Sequence, residues 1–162
     1  MGAVNSTSMK KIWATRLTDF STTDKEGIGA VRFEGAKVYK YVKYNSGTGP
    51  VAAVAGNMAY YHGDDAYSAS ACEVCSDLTD AAAVPIAAGM LMSAIPTGSF
   101  GWVQIKGVAT LTPALTSGAD GNPLSAVGAT DGTLAVMAAV TSPVAAVAID
   151  ASAKIVLLDC PW

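Results

Sequence analysis

From residue 98 onward the chain is a succession of short apolar runs cut by turn residues, and this punctuation constrains the fold more than any other feature. Runs at 100–111, 124–129, 134–139, 144–149 and 155–159 are separated by Asp120-Gly121-Asn122-Pro123, Asp131-Gly132, Ser142-Pro143 and Asp150-Ala151-Ser152. The later runs have the length of a strand, about 4–8 residues, and fall short of an ordinary helix. Both Asp-Gly pairs supply the positive φ that hairpin turns demand. Strands at ~8–12-residue spacing with turn chemistry between them predict a mainly β fold, an antiparallel β-sandwich or a small β-barrel, with at most one or two short helices. Within 100–111, alternation puts Phe100, Trp102, Gln104 and Lys106 on one face and Val103, Ile105 and Val108 on the other.

Composition agrees with this punctuation. Of 162 residues, 51% are hydrophobic and only 14% charged, so the Glu–Lys pairing of a coiled coil or charged bundle has no material. Residues 81–105 carry no charge at all, but Pro85, Gly89, Pro96, Gly98 and Gly101 interrupt them, and strands with turns are expected there instead of a membrane span. Behind Lys10 and Lys11 come Thr15, Arg16, Thr18 and Asp19, where a secretory signal needs an apolar stretch.

The first third reads differently. Residues 28–44 alternate as two strands about Glu34-Gly35-Ala36, with Tyr39, Tyr41 and Lys43 on one face, suited to a wet interface. Strands are expected at 51–61 and 71–74, around the loop His62-Gly63-Asp64-Asp65, and a short helix or turn over 76–83. Residues 1–27 fit neither period and predict an extended arm anchored through Trp13 and Phe20, ahead of a β-rich body at 28–162. Charge is sorted along the same lines. Residues 1–50 hold eight basic and four acidic side chains, net +4, whereas residues 51–162 hold two basic and nine acidic, net −7. The basic charges are too spread and too mixed with acids for a nucleic-acid surface; they suit an arm that docks on an acidic partner.

No constellation of catalytic residues emerges. Cys72 and Cys75 form a CxxC without a second half-site, and the single histidine, His62, leaves a closed zinc site short of ligands. The glycines of 46–50 match no phosphate-binding loop. A hydrolase built on His62 and Asp64–Asp65 lacks a nucleophile elbow or any fixed geometry. The expectation is a non-enzymatic protein without cofactor or metal.

The segment Ala88-Gly89-Met90-Leu91, followed by Ala94-Ile95-Pro96-Thr97-Gly98-Ser99-Phe100-Gly101-Trp102-Val103-Gln104-Ile105-Lys106-Gly107, resembles a signature of small head proteins of tailed bacteriophages, described as capsid decoration or cement proteins. Arg32-Phe33-Glu34-Gly35, Tyr39-Lys40-Tyr41-Val42 and the closing strands 144–149 and 156–158 extend the resemblance over residues 28–162. Pro143 departs from it where relatives often carry glycine. The resemblance implies a virion structural protein on the outer surface of the phage head, present in host cytoplasm during assembly, that ties neighbouring capsomers together. Its implied partners are the major capsid protein and itself, as a homo-dimer or homo-trimer, with no nucleic acid and no membrane. Lys10, Lys11, Trp13, Arg16, Phe20, Arg32, Tyr39, Tyr41 and Lys43 are the expected contact residues. A receptor-binding or fibre-like virion protein that touches a host glycan through 62–67 or 120–123 is the alternative.

Overall fold

The computed structural model describes residues 12–62, 72–81 and 85–161, and every regular element among them is a strand. The first half contains β1 (Val31–Glu34), β2 (Lys37–Tyr44), β3 (Met58–Tyr61), β4 (Glu73–Cys75) and β5 (Ala87–Leu91). The second contains β6 (Phe100–Thr110), β7 (Pro123–Ser125), β8 (Ala135–Val136), β9 (Ala146–Asp150) and β10 (Ile155–Asp159). Strands β2, β4, β3, β5 and β6 close a five-stranded barrel, the ring being completed where β6 lies antiparallel to β2. The expected antiparallel pairing holds throughout except between β2 and β4, which run parallel and make the barrel mixed. The other five strands lie outside the ring.

Two strands fork. One edge of β2 faces β6, and its other edge is shared by β1 and β4. Likewise β6 gives one edge to β2 and divides the other between β5, opposite Val103 and Gln104, and β10, opposite residues 106–110. A second sheet, β6-β10-β9-β7-β8, grows from that fork. Gly107 sits at the point of departure with φ +94°, and a Cβ there would come within 2.7 Å of the Ala36 carbonyl oxygen. Only glycine combines that backbone with so close an approach of the β1–β2 turn. Gln104, three residues earlier, donates from Nε2 to the carbonyls of Lys106 and Val108, both at 3.1 Å, and ties down the backbone where the strand changes sheets.

A single apolar cluster fills the barrel and runs under the second sheet. Val38, Val42 and Tyr44 of β2, Met58, Tyr60 and Tyr61 of β3, and Val103 and Ile105 of β6 meet inside; Ala146, Ala148, Val156 and Leu158 continue the cluster beneath β9 and β10. The small alanines let these layers approach closely. Lys40 shares this interior face of β2. It is buried, and its ammonium donates to the Tyr61 hydroxyl at 2.8 Å.

Two local expectations are corrected and one is narrowed. The strand foreseen at 51–61 begins only at Met58, because the backbone before it bonds to the ends of two other strands: Gly56 N–H donates to Leu91, the last residue of β5, and Gly56 C=O accepts from Thr112, just past β6. Of the short helix or turn foreseen at 76–83, the described part is bend and bridge, with the Asp77 carboxylate closing a turn by accepting from the Thr79 amide at 2.9 Å. Asp131-Gly132 closes no tight hairpin. It docks the β7–β8 connection onto the barrel, Asp131 accepting from Leu78 N–H at 2.9 Å while Gly132 exchanges backbone bonds with Ser76 and Met58.

Candidate contact surface

The segment before β1 lies against the barrel, across β2 and β6. Ser21 and Phe100 exchange both backbone hydrogen bonds, at 2.9 and 2.8 Å, and form an isolated bridge. Above them a polar relay fastens the segment: the Trp102 indole N–H donates to Thr15 Oγ1 at 2.9 Å, and Thr15 donates from its hydroxyl and its amide to the Glu26 carboxylate at 2.8 and 2.6 Å. Trp13 meets Trp102 edge-on with ring centroids 5.1 Å apart. Tyr41 also packs against Trp102, its ring centroid 5.0 Å away.

This arrangement changes the standing of several expected contact residues. Tyr41 is wholly buried and Tyr39 nearly so; with Trp102 they form a second apolar cluster that Trp13 and Leu17 cover. The face of β2 read as a wet interface is therefore the seat of the chain's own N-terminal segment, because the rings that alternate on β2 find Trp102 and Trp13 first. Burial pushes both phenols above their ordinary value of 10.0. Trp13 belongs to this cluster and is no free anchor. Arg32 is likewise engaged within the chain: Nη1 donates to the Thr15 carbonyl at 3.1 Å, Nη2 pairs with Glu34, and the guanidinium lies 5.6 and 5.8 Å from the Trp13 and Trp102 rings. Lys43 pairs with Glu73 at 3.6 Å. Lys10 and Lys11 lie outside the described residues.

What remains outward is the top of the segment. Arg16 is exposed, Phe20 is 50% exposed, and Ile12, which sequence reasoning passed over, is 92% exposed. Phe33 on the edge strand β1 is 65% exposed, and no periodicity marked it as outward-facing. Glu26 and Thr15 were also missed; nothing in the spacing of two polar residues eleven apart signals that one indole will join them. Between the segment and β1 lies a groove of about 550 Å³ lined by Trp13, Thr15, Arg16, Leu17, Arg32 and Glu34, which carries both signs of charge.

His62 forms a bridge with Ala81, while Asp64 and Asp65 lie outside the described residues. All three cysteines are buried, and none forms a disulfide. Among the described residues no group of three His, Cys, Asp or Glu side chains is placed to hold a metal ion. No family model, curated protein or solved structure matches this chain.

Proposed function

We propose that this chain is a non-enzymatic decoration protein of a phage head, bound to the outer surface of the assembled capsid through residues before β1. The observation that carries the binding role is the way that segment is presented. Its underside, Trp13, Thr15 and Ser21, is fixed to the barrel by ring packing, the Trp102–Thr15–Glu26 relay and a backbone bridge, while Ile12, Arg16 and Phe20 stand outward. A contact segment held in place before binding loses less conformational entropy on docking. Aromatic and arginine side chains are the types that carry most interface energy, and Phe20 and Arg16 supply one of each on the outward side.

The capsid as partner comes from the resemblance at 88–107. That stretch spans β5 and the barrel-closing strand β6, and its residues have assignable structural roles here: Trp102 holds the N-terminal segment, Gln104 ties the fork and Gly107 permits it. The resemblance thus concerns the strand on which the architecture depends. Co-sedimentation of the purified full chain with heads that lack it tests the reading. Saturable binding is expected, weakened at least tenfold by Arg16→Glu combined with Phe20→Ala, with the unfolding midpoint unchanged. Absence of binding by the folded wild-type chain sinks the proposal.

A further inference from the structure

The parallel pairing of β2 with β4 sets one carboxylate between an amine and a carboxamide. Lys43 N–H donates to the Cys72 carbonyl at 3.1 Å and Asn45 N–H to the Val74 carbonyl at 2.8 Å, so the ladder brackets Glu73 between them. Lys43 and Asn45, two residues apart on extended backbone, carry their side chains on one face at roughly 7 Å, a span that a lysine stem covers. Glu73 Oε1 meets both: it lies 3.6 Å from the Lys43 ammonium nitrogen and accepts from Asn45 Nδ2 at 3.1 Å. On the far side of the carboxamide, Gly47 N–H donates to Asn45 Oδ1 at 3.0 Å. The Lys43 and Glu73 side chains are 38% and 28% exposed, so most of each is withdrawn from water. A plain ion pair needs neither the carboxamide on the same oxygen nor the donor behind it.

We infer that Lys43, Glu73 and Asn45 are a self-modification site, at which the folded chain joins Lys43 to Asn45 through an isopeptide bond. An amide is a poor electrophile, and a lysine attacks one only with a base for its proton, a donor for the developing oxyanion and enforced proximity. Glu73, Gly47 N–H and the parallel register supply these in turn. Lys43 passes one ammonium proton to Glu73, and the neutral Nζ attacks Asn45 Cγ. The Nζ–Cγ bond forms while charge gathers on Oδ1, under the Gly47 amide. Glu73 returns its proton to Nδ2 and the Cγ–Nδ2 bond breaks. Ammonia leaves and takes up the remaining proton from Nζ, so ammonium departs, the carboxylate is restored and nothing is oxidised or reduced. Attack on the same carbon by the Ser46 amide nitrogen would also release ammonia, as a succinimide; that N–H is engaged with Thr97 Oγ1 at 3.1 Å. The bond removes the Lys43 charge and ties the end of β2 to the glycine-rich loop. It requires no partner, so the inference stands without the capsid assignment.

Mass spectrometry of the purified full chain, fresh and after prolonged incubation in native buffer, reads the reaction directly. A fraction lighter by one ammonia is expected to grow with time in the folded chain and not in urea. No lysine or arginine lies between Lys43 and Lys106, so trypsin, blocked at the modified Lys43, is expected to release 41–106 uncut, with the mass deficit on it. Lys43→Arg keeps the charge and is expected to retain the full mass. Glu73→Gln is expected to slow the loss at least about 100-fold, the scale of a general base. Near-ultraviolet circular dichroism checks that each variant is folded. A folded wild type that keeps its full mass throughout overturns the proposal. An ammonia loss that persists in Lys43→Arg marks a succinimide at Asn45 and overturns it as well. Loss at the wild-type rate in Glu73→Gln removes the base, and with it the mechanism.

Discussion

Lys40 is the residue whose environment least resembles its type. Lysine is seldom fully buried, since an ammonium loses its hydration there, yet this one shares the interior face of β2 with Val38, Val42 and Tyr44 and donates to Tyr61. A buried charge whose partner is removed costs more than the bond itself contributes. Tyr61→Phe, which keeps the ring and removes the acceptor, is expected to lower stability by about 1.5–3 kcal/mol in urea denaturation. An unchanged midpoint shows that the ammonium reaches another acceptor. The aromatic residues before and within β2 show the opposite displacement. Trp13, Tyr39 and Tyr41 have interface-like chemistry but lie in the chain's own second cluster, so their truncation acts on stability first. Head binding is expected to respond to Arg16 and Phe20 instead.

At the scale of elements, the fork of β6 decides the architecture. An eleven-residue strand that belongs first to a barrel and then to an open sheet needs one residue free to turn and one side chain to hold the backbone where pairing changes. Gly107 and Gln104 fill those roles. Gly107→Ala places a Cβ at a φ of +94° and against the Ala36 carbonyl, and is expected to cost about 1–3 kcal/mol, with the β1–β2 turn displaced. Thermal unfolding measures the loss, and amide hydrogen exchange at Lys37 and Val38 locates it. A stability equal to wild type means that the fork does not depend on this glycine. The edges of the combined sheet are short: β8 has two residues and β1 four. Short edges limit lateral strand addition.

For the molecule as a whole, the interior holds phenols and thiols in their neutral forms. Burial pushes Cys75 and Cys160 up to about 12 from 9.0, and raises the Tyr60 phenol in the same direction. Because the folded thiols bind their protons more tightly than the unfolded ones, their contribution to stability is complete below the unfolded value and is lost as pH rises from 9.0 towards about 12. The denaturation midpoint is expected to fall steadily over that alkaline window. At ~pH 8 a thiol reagent is expected to find the three buried cysteines unreactive in the native protein and all three reactive once it is unfolded. Fast labelling of the native chain shows that the CxxC strand opens locally. The described part of the N-terminal segment belongs to this same folded unit. Removing residues 1–27 takes Trp13, Thr15 and Ser21 away from Trp102 and Phe100, so such a deletion tests stability as much as docking.

Turn residues and apolar alternation determined the β class, the β1–β2 hairpin, the long β6 and the positions of β9 and β10, because those signals are local and repeat at the period of a strand. They also identified Tyr39, Tyr41 and Lys43 as one face of β2, and that division is observed. Tertiary structure alone decided what each face meets. Barrel closure depends on β2 finding β6 some sixty residues away and β4 in parallel, and no local pattern encodes such partners. The same long-range pairing buried the tyrosines beneath the N-terminal segment, carried Lys40 inside, and left Val108, Leu157 and Val147 aligned and open. Alternation specifies that two faces differ; which one becomes interior is decided by the area each can bury against strands distant in sequence.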